Sequence, residues 1–162
     1  NYLEVAHILE DNGAAAIAVH GRTKQQGYGG QADWDAIAEI RRGVSIPVIA
    51  NGDVRTVADI ERIQAHTGCP AVMIGRGAIG NPWIFSRLER EAVPPEEVRA
   101  TMQRHLQRML DFYGPEHGLI WFRKHTERYL RPYCLPCEMR QRLLTAESVD
   151  EFQNLVNRAL SV

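Results

Sequence analysis

Three short polar stretches each close an apolar run. His20-Gly21-Arg22 follows the run 15–19, Asn51-Gly52-Asp53 follows 46–50, and Gly75-Arg76-Gly77 follows 71–74. The third says most about chemistry. Glycine lets backbone approach a ligand closely. Backbone N–H groups near a helix start favour an anion, and an arginine supplies a two-pronged donor for phosphate. A glycine–arginine–glycine tip therefore reads as a phosphate clamp. A single polar tip is what any strand needs to become a loop, but three in succession point to a shared ligand.

The elements that must carry these tips alternate. A helix over 2–11 stops at Asn12-Gly13 and leads to the first strand. A loop rich in Gly and Gln (24–31) then precedes a helix capped by Asp33. After the second strand, Thr56 caps a helix that ends before Gly68. The third strand, 71–74, is followed by a helix from about Asn81, with Pro82 in its first turn. The strands are short and apolar without in–out alternation, which predicts parallel strands buried on both faces. In such folds ligands gather beyond the C-terminal strand ends. The order makes this half α/β.

Beyond Val93-Pro94-Pro95 every segment reads as helix: about 96–112, 116–131, 136–145 and 147–160, with breaks at Gly114-Pro115 and Arg131-Pro132. The expected domains are 1–92 and 93–162. The chain carries a net charge of −1, so no global basic field is present. Residues 121–142 nevertheless hold six cations (Arg123, Lys124, Arg128, Arg131, Arg140, Arg142) against Glu127 and Glu138. Such a face can hold a phosphate backbone. No apolar run is long enough for a membrane span, and three cysteines fit a reducing cytoplasm better than a disulfide framework.

The stretches HGRTKQQGYGGQADW, IPVIANGDV and VMIGRGAIGNPWIF, with FRKHTERYL at 122–130, resemble the tRNA-dihydrouridine synthases, most closely their bacterial B subfamily. The resemblance covers nearly the whole chain. It implies the C-terminal part of a (β/α)8 TIM barrel, contributing three βα units, followed by an all-α bundle that binds tRNA. It also implies FMN, recharged by NADPH, reducing a uridine in tRNA to 5,6-dihydrouridine. Matched position by position, Asn51, Gly52 and Asp53 fall on the flavin-contacting segment, Gly75 and Arg76 on the FMN phosphate site, and His20 at the flavin and substrate edge. Arg22 belongs to the same motif. Arg123, Lys124, His125, Arg128 and Tyr129 fall on the tRNA-binding signature. The family's proton-donating cysteine has no match here and is expected on an earlier strand. The complete enzyme is expected to be a monomer. The 162-residue chain, with bare strand edges, is expected to self-associate.

Other residues invite chemistry less strongly. Cys134 and Cys137 form a C-x-x-C, but no second pair completes a zinc site, and plain thiols are expected, as for Cys69. His105 and His117 lack metal-ligand spacing. Trp83 and Phe85 read as core. Tyr129 reads equally as core aromatic or RNA contact. Two rival functions stay open at this point: a sugar-phosphate barrel enzyme, and an RNA-binding module without catalysis.

Overall fold

The computed structural model describes residues 1–161; Val162, the end of the expected helical domain, lies outside them. The chain divides into two compact units, Asn1–Gly77 and Ala78 onward. The division falls ahead of the expected joint at Pro94-Pro95. The reason is that residues 78–92 pack with the helices: Gly80 lies directly against the backbone of Arg128, and Arg90 donates to the Tyr129 carbonyl at 3.0 and 2.5 Å.

The first unit is a three-stranded parallel sheet in the order β1 (Ile17–His20), β2 (Val48–Asn51), β3 (Ala71–Met73). Helix α1 (Tyr2–Asp11) precedes β1, and α2 (Trp34–Gly43) and α3 (Val57–Thr67) make the crossovers. The caps are the expected ones. Asp33 accepts from the Ala36 N–H, and Thr56 forms a reciprocal capping box with Asp59. Gly68 ends α3 in the left-handed conformation.

The register puts Ile17, Val19, Val48, Ala50 and Val72 on one face. There Ile17, Val48 and Ala50 are buried, as are Ile37, Ile40, Ile60 and Ile63 of α2 and α3. On the opposite face, Ala18, Ala71 and Met73 are exposed. Burial on both faces is thus not observed, because among the described residues helices pack on one side only. β1 and β3 each leave one edge unpaired there.

The second unit starts with short 3-10 turns. The expected helix after Asn81 is one of them, Pro82–Ser86, ended by Arg87 in the left-handed region. Its backbone bonds span three residues, from the Ile84 N–H to the Asn81 carbonyl and from the Arg87 N–H to the Ile84 carbonyl, which is the tight 3-10 pattern. Helix α4 (Pro95–Leu130) reverses at Gly114, whose φ of 79° an L side chain rarely adopts, and Pro115 follows. Its two arms fold together: His105 meets Phe122 and Tyr129 across the reversal. With α5 (Cys137–Thr145) and α6 (Val149–Ala159) they bury Met102, Leu106, Phe122, Leu143, Phe152 and Leu155.

Candidate functional site

The three polar tips lie together at the C-terminal ends of the strands. His20 pairs with Asn51 and Asn51 with Met73 in the ladder, so the strands end level. The Asn51 amide Nδ2 donates to the Met73 carbonyl at 2.6 Å and ties two tips together. The Trp34 indole N–H holds the Gly52 carbonyl at 3.1 Å from the start of α2. The result is a hollow of about 340 Å3 lined by His20, Asn51, Gly52, Asp53, Gly75 and Arg76, with Tyr28, Val54, Arg55, Met73 and Gly77.

Arg22 is the predicted residue the hollow does not contain. Its side chain is 2% exposed. One guanidinium nitrogen donates to both Asp53 carboxylate oxygens, at 2.7 and 2.8 Å, and to the Gly30 carbonyl at 2.8 Å; Nε donates to Gly29. The Ala32 N–H also donates to Asp53. Burial pulls the Asp53 carboxyl upward, but Arg22 and the Ala32 N–H outweigh it and hold it below its ordinary value of 3.8. Arg22 thus braces the Gly-rich loop and spends the charge of Asp53.

What remains in the hollow is positive. Arg76 and Arg55 are exposed at its wall, and neither enters an ion pair among the described residues. The Arg76 guanidinium rests 4.5 Å from the centre of the Tyr28 ring. Gly75 has open space where a Cβ would be, whereas a Cβ on Gly77 would lie 2.5 Å from the Val54 carbonyl oxygen. The two glycines therefore serve different ends: one leaves room, the other lets β3 turn under the neighbouring loop. Arg76 and Gly77 themselves lie in a short 3-10 turn, Arg76–Ala78, not at the helix start expected behind the clamp. Sequence reading missed Tyr28 and Arg55. The glycines flanking Tyr28 were a signal for the first; Arg55, beyond its tip, had none.

In the helical unit, the predicted RNA-binding residues separate into two groups. Lys124 and Arg128 are exposed. Arg123 is half-buried and donates to the Ala146 carbonyl, so it works as packing. Tyr129 is buried, 3.3 Å from His105 Nδ1 through its hydroxyl, which favours the core reading. Trp83 packs on that core, but Phe85, expected in it, is exposed because the 3-10 turn points it outward. Cys69 is buried ahead of β3, at the strand end opposite the hollow, while Cys134 and Cys137 are exposed free thiols. Arg90, missed in the sequence, lies buried beside the Trp83 and Tyr133 rings.

His125 turns inward too, its ring 4.7 Å from that of His105. Burial lowers both histidines from 6.5. Like charge adds to this, from His125 and Arg108 on His105 and from Lys124 on His125. The unfolded chain then takes up protons first as pH falls, so stability is full above 6.5 and declines below it. We expect the helical unit to melt progressively lower under mild acid, and His105→Gln to flatten that decline. Thermal melts of both chains above about pH 5.5, where carboxylates do not yet contribute, check this; parallel declines would refute it.

Comparison with known proteins places this architecture. The description of the dihydrouridine synthase (Dus) family matches residues 1–161. A probable tRNA-dihydrouridine synthase of Mycobacterium leprae is 38% identical over 166 residues, covering 97% of this chain and 43% of that protein. The tRNA-dihydrouridine synthase B of Shewanella oneidensis is 43% identical over 138 residues, covering 80% of this chain and 43% of that protein. That of Escherichia coli K12 is 36% identical over 159 residues, covering 93% and 50%. The chain spans about half the length of the curated relatives it matches. Matched by that family over residues 1–161, strand tips, hollow and helical bundle included, the chain belongs to the dihydrouridine synthase family.

Proposed function

We propose that this chain supplies the phosphate-binding rim and the RNA-binding helices of an enzyme that reduces uridine to 5,6-dihydrouridine in tRNA, with FMN as flavin and NADPH as its reductant. The observation that carries the reading is the hollow itself: polar groups at three adjacent parallel strand ends, with two arginines and one carboxylate already neutralised by Arg22. That donor set fits a terminal phosphate, and Gly75 leaves room for it. Arg76 would hold the phosphate. His20 and Asn51, on the adjoining strand ends, would meet the polar edge of the flavin ring. Bound and reduced, FMN supplies the hydride. The residues here bind, orient and desolvate; none of Cys69, Cys134 and Cys137 lines the hollow, and we assign no proton donor among them. Exposed Lys124 and Arg128 would meet tRNA phosphates, and the reaction belongs in the cytoplasm, where tRNA is found. No described helix is long and apolar enough to cross a membrane.

The test compares FMN with riboflavin, which lacks the phosphate, by fluorescence titration. FMN should bind at least tenfold more tightly, because a charge-assisted contact is worth on the order of 1.5–3 kcal/mol. Equal affinity for both ligands would remove the phosphate assignment.

A further inference from the structure

We propose that the tip of the α4 hairpin is a stacking platform for an unpaired nucleotide of RNA, with Trp121 and Tyr113 offering the flat faces. The inference rests on the tRNA reading above and deepens it. Four large apolar side chains stand out around the reversal: Phe112 is 80% exposed, with Tyr113, Ile120 and Trp121 also in solvent. None belongs to the helical core. Contiguous apolar surface of this kind marks a place of interaction.

The tip is also held in shape. Gly114 fixes the reversal, and the arms meet where Gly118 sits against Met109 and Leu110. Phe112 and Tyr113 meet edge to face at 4.7 Å, and the Tyr113 and Trp121 rings are nearly parallel, 6.1 Å apart. The Lys124 ammonium lies 4.0 Å from the centre of the Trp121 ring.

Charge selects the partner. Trp121, Lys124, Arg128 and Arg131 are all exposed and recur at spacings of three, four and three, so they form one stripe about 15 Å long at 1.5 Å per residue. An aromatic head followed by three cations suits a strand whose base stacks at the tip while its phosphates track the row. Asp111, Glu116 and Glu127 are exposed nearby, and Asp111 accepts from Gln107. An apolar protein partner would have to cover those cations without compensation, whereas an RNA strand neutralises them.

The experiment measures binding of an unmodified tRNA transcript over a range of salt. Trp121→Ala should weaken binding by about tenfold or more and leave the salt slope unchanged, since stacking releases no counterion. Lys124→Ala and Arg128→Ala should each reduce the slope by about one unit. Trp121→Phe should keep most of the affinity while losing the tryptophan quenching that wild type shows on binding. Trp121 is exposed, so circular dichroism should find each fold intact. If wild type binds tRNA and Trp121→Ala binds it equally well, the platform is overturned and the RNA reading stands. If wild type does not bind tRNA, both fall. If Trp121→Ala abolishes self-association in light scattering and leaves tRNA affinity alone, the tip is a protein-docking face and the platform is overturned.

Discussion

Replacing Arg76 with alanine is expected to weaken FMN roughly ten- to hundredfold, since a charge-assisted contact to phosphate contributes on the order of 1.5–3 kcal/mol. Riboflavin affinity should stay where it is. Stability should hardly change, because the guanidinium is exposed and touches mainly the Tyr28 ring, an interaction worth about 0.5–1 kcal/mol at such a site. Arg76→Lys should recover part of the loss, keeping charge without the fork. Paired titrations of FMN and riboflavin, with a melt of each variant, separate the effects. A variant that loses both flavins equally, or loses fold first, would show that Arg76 shapes the rim and leaves phosphate to other groups.

Asp53→Ala is expected to act on the fold itself. It would strand the Arg22 guanidinium, 2% exposed, beside two glycine carbonyls. Breaking a buried ion pair from one side typically costs 3–5 kcal/mol; about 3 kcal/mol suits this pair, since Asp53 still meets solvent. Asp53 also has a φ of 57°, which Asp and Asn tolerate better than Ala. Asp53→Asn should therefore lose clearly less. Urea unfolding of the two variants measures the difference. Limited trypsinolysis adds a local readout: with Arg22 unpaired, the loop it braces should open and cleavage after Lys24 should accelerate. Equal stability of wild type and Asp53→Ala would mean the pair is ornamental.

The helix starts were legible because single residues specify them. Asp33 and Thr56 cap as their side chains dictate, and Gly68 and Gly114 stop or reverse helices where only glycine sits comfortably. The strand tips were legible because apolar runs gave way to polar residues at three places. What the sequence hid was direction. Nothing in FRKHTERYL says that Arg123, His125 and Tyr129 turn toward the bundle while Lys124 and Arg128 face solvent; that depends on which side α5 and α6 occupy. Arg22 and Arg76 look alike as arginines beside glycine, yet Asp53, far off in sequence, decides that one is a buried brace while the other stays exposed at the wall of the hollow. Residues 78–92 carry a strand-to-helix pattern but belong to the helical unit, because Arg90 and Gly80 find their partners there.

The reversal at Gly114 also bears on the order of folding. Across it, Gly118 meets Leu110 and His105 meets Phe122, so the arms join after closing loops of roughly eight to seventeen residues. The sheet has no such shortcut: Ile17 must find Val48, and Ile49 must find Ala71, each over a whole crossover helix. Short closures form quickly and parallel pairings slowly. The helical hairpin is therefore expected to gain its structure while the strands are still searching, which leaves the slow, aggregation-exposed step to the sheet.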